Sequence, residues 1–384
     1  MNSLFAPIVN TDQESLIQVI RDFVADRIKP IVVELDSTGR FPEEIYLELG
    51  KMGMLGINIA SEDGGAGGSC LDYCLVMEEL SSGYASVADQ VGLIELVGSL
   101  ISKFGTSEQK IKYLPGLFSG KIKCAYGLTE SNAGSDLGSL KTSATRDIDG
   151  NWILNGEKIY IHNAPVADFV MVLAKTDPNK GKRGGMTMFL VDIDQAGVAR
   201  AYKEKKMGQN ASPVGGFIFT DVKLTEKSVL GGEGNGFSAV LQGLEKGRVG
   251  IASLANGISK SAIDSATSHA KSREQFGQVI GQFQGVAFSL AEMVADYSAA
   301  VALTYSAARK IDSNLESGPA SSIAKLVSSE NAVRITSSAV QILGGAGYIR
   351  GVEVERLYRD ARITTIYEGT SEVQKIVISR GLLS

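Results

Sequence analysis

Cysteine, histidine and tryptophan are all scarce in this 384-residue chain, at three, two and one copies. Cys70, Cys74 and Cys124 are odd in number and form no C-x-x-C pair, so a disulfide framework is not expected and a reducing compartment is the default. Cys70 and Cys74, four apart, share one helix face and read as core filling. His162 and His269 lie too far apart for zinc-ligand spacing, and no metal is expected. No G-x-G-x-x-G occurs, which leaves a Rossmann dinucleotide site without support. The glycine-rich loop Gly64–Gly68 lacks the lysine and the preceding strand of a P-loop and reads as a turn into a helix. Lys and Arg form no cluster and the net charge is −5, so nucleic acid is not the expected partner. The strongest unbroken apolar run, Phe169–Ala174, is far below a membrane span. The N-terminus carries Asp12 and Glu14 with neither a basic leader nor an Arg-rich amphipathic one, so the expected location is cytoplasmic, a processed organellar form being the alternative.

What remains is an ordinary globular composition, 44% hydrophobic and 21% charged, long enough for several subdomains. Leu16, Ile20, Phe23, Val24 and Ile28 recur at helical steps with Arg21, Asp22, Asp26 and Arg27 between them, predicting an amphipathic helix ended by Pro30. A second helix starts near Leu71, with Asp72, Glu78 and Glu79 on its expected polar side. From Lys123 the pattern changes to strands. Asp147–Gly150 predicts a hairpin turn into Trp152–Leu154, Asn155-Gly156 a second turn, and residues 169–173, 186–191 and 217–219 buried strands. Beyond Gly231–Gly236 long helices resume, broken at Gly277, Gly281, Gly318-Pro319 and Gly344–Gly347. The expected domains are 1–122 helical, 123–230 β and 231–384 helical.

Four blocks carry the functional signal. Ile366-Tyr367-Glu368-Gly369-Thr370-Ser371-Glu372 places one carboxylate, Glu368, in a turn between the basic strip Arg359–Arg362 and a helix-forming tail. Upstream stand Gln341–Tyr348 (QILGGAGY), Arg273–Gly277 (REQFG) and Leu128–Asp136 (LTESNAGSD). Together they resemble the acyl-CoA dehydrogenase family of flavoproteins along essentially the whole chain. The resemblance implies that family's fold, with an all-α N-terminal domain, a central β-barrel or sandwich domain and a C-terminal four-helix-bundle domain. It also implies FAD as cofactor, an acyl-CoA substrate, an electron-transfer flavoprotein as acceptor and a homo-oligomer, tetramer or dimer.

By the same likeness Tyr126, Leu128 and Thr129 contact the isoalloxazine, and Gly134 and Ser135 lie beside the flavin phosphates and the acyl thioester. Small residues permit close backbone approach, and hydroxyls and amides bind anionic oxygens without a charged side chain. Tyr160 and His162 occupy the place of an aromatic residue and a hydroxyl near flavin N5, His162 departing from the hydroxyl. Strand alternation predicts that the two share a face. Arg273, Phe276, Gln341 and Gly345 match positions that reach the ADP half from a neighbouring subunit, and Arg273 has the planar fork a pyrophosphate suits. Thr370 is assigned to the cofactor as well. Tyr367 and Gly369 join Ser135 at the substrate, and Glu245 and Arg248 border the CoA arm or the acyl thioester. The residue-level alternative for Glu245 and Arg248, three apart on a helix, is an ion pair of about 0.2–0.5 kcal/mol. Gly247 stands where some branched-chain members carry their base, which leaves that role to Glu368.

The resemblance implies α,β-dehydrogenation to a trans-2-enoyl thioester: Glu368 abstracts the α-proton, flavin N5 accepts the β-hydride, and the Glu368 N–H helps bind the thioester carbonyl. The alternatives are a flavin monooxygenase or oxidase, an acyl-carrier-protein dehydrogenase, or a non-catalytic scaffold. Asp89, Gln90 and Glu95 fall in the region that lines the acyl cavity of relatives, or else face solvent or another helix.

Overall fold

A computed structural model describes residues 9–383; the first eight residues and Ser384, the outer ends of the expected first and third domains, lie outside it. Among the described residues six α-helices come first: α1 (Thr11–Phe23), α2 (Val32–Thr38), α3 (Glu43–Lys51), α4 (Cys70–Gly83), α5 (Ala85–Phe104) and α6 (Ser107–Phe118). Their starts are encoded locally. Asn10 with Gln13, Ser69 with Asp72 and Thr106 with Gln109 each form a reciprocal capping box on α1, α4 and α6. The Asp312 carboxylate reinforces α4 from far along the chain, accepting from the N–H groups of Cys70 at 2.6 Å and Leu71 at 3.2 Å.

Eight strands follow: β1 (Cys124–Gly127), β2 (Ser143–Arg146), β3 (Trp152–His162), β4 (Phe169–Lys175), β5 (Met186–Asp192), β6 (Val198–Lys203), β7 (Val214–Leu224) and β8 (Val229–Leu230). They form one sheet in the order β6-β7-β3-β2-β4-β5-β8, with β1 added in parallel to β4. Trp152, Phe189, Phe217 and Phe219 fill a core belonging to this domain alone. The remaining chain is α7 (Gly236–Ser272), a two-stranded hairpin of β9 (Glu274–Gln275) and β10 (Gln278–Val279), α8 (Gln284–Asp312), α9 (Gly318–Leu343), α10 (Glu353–Arg362) and α11 (Ser371–Leu383). The 37-residue α7 packs on α4 and α5 as well as on α8 and α9, so the two helical regions share one continuous core.

Several sequence expectations need correction. Asn155-Gly156 is no turn: both residues lie within β3, where the pairing with β7 slips between Leu154 and Gly156, a bulge that Gly156 accommodates at φ 145°. Pro30 does not end the first helical path, because 24–31 continue it as a wider and then a tighter turn into α2. Glu78 and Glu79 face inward. Glu78 accepts from the Tyr297 and Tyr305 hydroxyls at 2.6 and 3.1 Å, and Glu79 pairs with Arg21 and Lys260. Two helices, Ala85–Phe104 and Gln284–Asp312, are long and apolar enough to cross a membrane, although interspersed small polar residues hide this from a search for unbroken runs. The first is a buried core helix; the second leaves most of its apolar stretch uncovered. Cys70, Cys74 and Cys124 are free and buried.

Candidate active site

Glu368 sits on the short connection between α10 and α11. A single turn at Ile363–Thr365 closes α10, and Glu368 and Gly369 then take left-handed φ values of 53° and 90°. Gly369 adopts this without cost; Glu368 does so against its own Cβ, so the surroundings must hold it. They do. Gln374 donates its side-chain amide to the carbonyls of Glu368 (3.2 Å) and Gly369 (2.8 Å), and the Lys325 ammonium, from α9, donates to the Gly369 carbonyl at 2.8 Å. Lys325 is fully buried. The sequence offers it little signal, a lone lysine on a helix face of small residues, Gly318, Ser321, Ser322, Ser328, Ser329 and Ala332.

The loop delivers the Glu368 carboxyl to the N-terminal third of α7. A Cβ built at Gly247 would lie 2.6 Å from Glu368 Oε2, so only glycine leaves the carboxyl where it is. Oε2 is itself buried without a hydrogen-bond partner, as are Tyr126 Oη on β1 and Arg248 Nε on α7. Burial pushes the Glu368 carboxyl up to about 7, with Arg248 and Lys325 pulling the other way and Asp89 adding to the rise. Burial, with Glu368 nearby, likewise pushes the Tyr126 hydroxyl well above its ordinary range. Buried polar atoms are normally bonded, so three orphans around one carboxylate mark a place built for a ligand. Tyr367, next to Glu368, receives the Gln209 amide on its hydroxyl at 3.3 Å.

The β-domain residues are held from below. Lys158, fully buried on β3, donates to Glu130 Oε1 at 2.8 Å and to the Leu128 carbonyl at 2.9 Å, and Glu130 also accepts the N–H groups of Lys141 and Thr142. The Thr129 carbonyl takes the Ile159 N–H. This fixes Leu128–Glu130 while Gly134 and Ser135 stay exposed, with nothing within 4 Å of a Cβ at Gly134. An open small-residue turn beside an orphan tyrosine hydroxyl suits a flat anionic cofactor such as FAD.

Tyr160 and His162 do not follow simple alternation. The β3–β7 register shifts between Lys158 and Ile161, Tyr160 takes a left-handed φ of 55° and is 64% exposed, and His162 turns inward towards α5. His162 Nε2 lies 2.6 Å from Ser212 Oγ, 2.9 Å from Gln90 Nε2 and 3.4 Å from Asp89 Oδ2, and burial lowers its pKa below the ordinary histidine range. Glu95 is fully buried and locks Lys246 (2.7 Å) and the Asn58 N–H (2.9 Å), so it faces another helix. Glu245 accepts from the Ser317 hydroxyl. Thr370 Oγ1 caps α11 by accepting the Val373 N–H. Arg273, Phe276 (94% exposed), Gln341 and Gly345 lie on the outside of the chain and make no hydrogen bond or ion pair with the Glu368 group among the described residues.

Comparison with known proteins accounts for nearly the whole chain. Residues 10–121, 125–222 and 234–383 match the sequence families described as acyl-CoA dehydrogenase N-terminal, middle and C-terminal domain. The chain is 42% identical to a 3-(aryl)acrylate reductase of Clostridium sporogenes, over 97% of this chain and 99% of that one. It is 41% identical to the caffeyl-CoA reductase–Etf complex subunit CarC of Acetobacterium woodii, over 97% and 99%. Among solved structures, butyryl-CoA dehydrogenase from Megasphaera elsdenii superposes with a TM-score of 0.95 at 39% identity, covering 99% of this chain and 100% of that one.

Proposed function

The chain belongs to the acyl-CoA dehydrogenase family, and on that premise we propose that Glu368 is the base of an FAD-dependent α,β-dehydrogenation of acyl-CoA thioesters. The observation that carries this reading is the unpartnered, buried carboxyl of Glu368, facing Gly247 and flanked by Arg248 and the Tyr126 hydroxyl. FAD, when bound, supplies the acceptor for the β-hydride. Tyr126, Leu128, Thr129, Gly134, Ser135 and Tyr160 are the residues of this chain assigned to hold it, with Thr370 from the catalytic loop. The α-proton goes to Glu368 Oε2, the oxygen left without a partner. Lys325 and Gln374 fix the two peptides that follow Glu368, and the N–H of Glu368 is assigned to the thioester carbonyl. Arg248 keeps the carboxyl from rising further than about 7. The same carboxyl returns the proton when the reaction runs towards saturation, the direction named for two of the relatives.

A base must be ionised before it can take a proton. With the Glu368 carboxyl raised to about 7, its ionised fraction grows as pH rises through that value, so kcat/KM increases up to about pH 7 and then levels. The test is anaerobic titration of the flavin-loaded protein with butyryl-CoA across pH 5.5–8.5, the range in which roughly such a carboxyl changes charge. Bleaching of the flavin band with that profile supports the reading, and reoxidation by electron-transfer flavoprotein rather than oxygen identifies the acceptor. Absence of bleaching, or a rate indifferent to pH, rejects it.

We infer that a second copy of the chain completes the flavin site. Arg273, Phe276, Gln341 and Gly345 point outward, and the nearby α8 carries an uncovered apolar face that includes Phe288. Arg273→Ala is therefore expected to lose FAD on gel filtration without changing the elution mass. Full flavin retention would show that Arg273 does not contact the cofactor.

A further inference from the structure

The inner end of α5 carries a polar cluster that the dehydrogenation chemistry does not use. Along α5, Asp89, Gly92 and Ser99 are the partly accessible positions before the more open last turn at 102–104, with Leu96 at 5% between them. Spacings of three and seven residues put them on one face, which meets Met77 and Tyr73 of α4 at Gly92 and α7 at Leu96. Leu96 and Gly243 touch across the seam between α5 and α7. Asp89 lies at its Glu368 end. Ser212, which bonds Asp89, donates its N–H to the Gln209 carbonyl, and Gln209 bonds the Tyr367 hydroxyl.

The cluster is short of donors. Gln90 and Asn163 exchange both amide hydrogen bonds, at 2.9 and 2.7 Å, and the remaining Gln90 hydrogen goes to His162 Nε2. The Ser212 hydroxyl has one hydrogen and two neighbours that compete for it, His162 Nε2 at 2.6 Å and Asp89 Oδ2 at 2.7 Å, so it supplies the carboxylate with at most one hydrogen bond, at Oδ2. Lys206, the nearest ammonium, donates to the carbonyls of Gln209 and Ser212 instead. Burial depresses the His162 imidazole below its ordinary range against the pull of Asp89, and its Nε2, 3.4 Å away, faces Oδ2 rather than Oδ1. Asp89 Oδ1 therefore receives no hydrogen bond among the described residues, although the side chain is only 12% exposed. Oδ1 is not among the buried unpartnered atoms and so faces accessible space, where a donor carried on a bound acyl chain would meet an open acceptor.

Resting on the dehydrogenase reading, we propose that Asp89 accepts a hydrogen bond from a hydroxyl carried on the acyl chain, so that the preferred substrates are hydroxylated acyl-CoA thioesters rather than plain alkyl ones. Ser212, Gln90 and His162 are positioning residues that hold the carboxylate towards the seam. An alkyl chain in the same place would displace water from Asp89 Oδ1 and return no donor, which is the larger effect, because a site built to bond a hydroxyl rejects the analogue lacking it more strongly than a greasy pocket rejects an extra methylene.

The test compares flavin bleaching by pentanoyl-CoA with 5-hydroxypentanoyl-CoA, and by hexanoyl-CoA with 6-hydroxyhexanoyl-CoA. In the native chain at least one hydroxylated member is expected to exceed its parent in kcat/KM by about 10-fold or more. In Asp89→Leu that preference collapses to parity. Should the leucine variant not fold, Asp89→Asn, of the same shape, must reduce the preference with FAD content unchanged. Parents that match or outrun their hydroxylated partners throughout, or a preference that survives at Asp89→Leu, overturn the assignment while leaving the dehydrogenase reading intact. Failure of all four thioesters to bleach the flavin overturns both.

Discussion

Glu368→Gln is expected to keep its FAD and lose dehydrogenation by about 10²–10⁴-fold, the usual contribution of a positioned base. The substitution preserves shape and the left-handed backbone, and the Gln374 and Lys325 bonds run to main-chain carbonyls, so they are untouched. What changes is the one atom without a partner, Oε2, which in the amide has no basic lone pair of comparable strength. Removing a charge that burial opposes should also leave the fold no less stable, since the native carboxyl sits at about 7 rather than in the ordinary range. The linkage sign agrees: a carboxyl whose folded pKa is raised is most comfortable below the unfolded value, and its contribution is lost as pH rises towards 7. Stopped-flow bleaching with butyryl-CoA, alongside a melting curve, separates the two effects. A glutamine variant reacting at near native rate would move the base elsewhere.

Lys158→Met has the largest expected effect on stability and cofactor retention together. Its ammonium is fully buried, pushed down to about 8 by that burial, and bonds both Glu130 and the Leu128 carbonyl. Methionine fills the space but leaves the Glu130 carboxylate with only two backbone donors. Breaking a buried pair from one side costs about 3–5 kcal/mol, because the remaining charge is uncompensated. Here the same event frees Leu128 and Thr129, the residues assigned to the flavin ring. A lowered melting temperature with a reduced ratio of flavin to protein absorbance after gel filtration is the expected result. Native flavin content in a destabilised protein would separate the ion pair from the cofactor site, and an unchanged melt would contradict the energetic argument.

Most of the architecture was legible in the sequence because it depends on short-range patterns. Capping residues, hydrophobic spacing in α1, the Asp147–Gly150 turn and the strands 169–173 and 186–191 all express local preferences that the packing did not override. The misreadings have a common source. Glu78 looks solvent-facing until Tyr297 and Tyr305, more than two hundred residues later, supply hydroxyls for it. Asn155-Gly156 has the composition of a turn, but β7 pairs across it on both sides. Tyr160 and His162 part company because one extra residue in a strand reverses which face follows. At the site, the Glu368 turn could be seen from Gly369 and Thr370, and Asp89, Gln90 and His162 stood out as candidates, whereas Lys325, Gln374 and the bonds joining Asp89 to Ser212 could not. Each works through a partner distant in sequence, and nothing in its immediate neighbours announces that partner.

The backbone at Glu368 has a consequence for laboratory evolution of this protein. A non-glycine residue at φ 53° with a buried carboxyl holds the chain in a geometry costing on the order of 1–3 kcal/mol, and glycine at the same place would relax it. Selection for heat resistance alone therefore favours discarding the residue on which turnover depends, and a thermostability screen of this scaffold should carry an activity gate at every round.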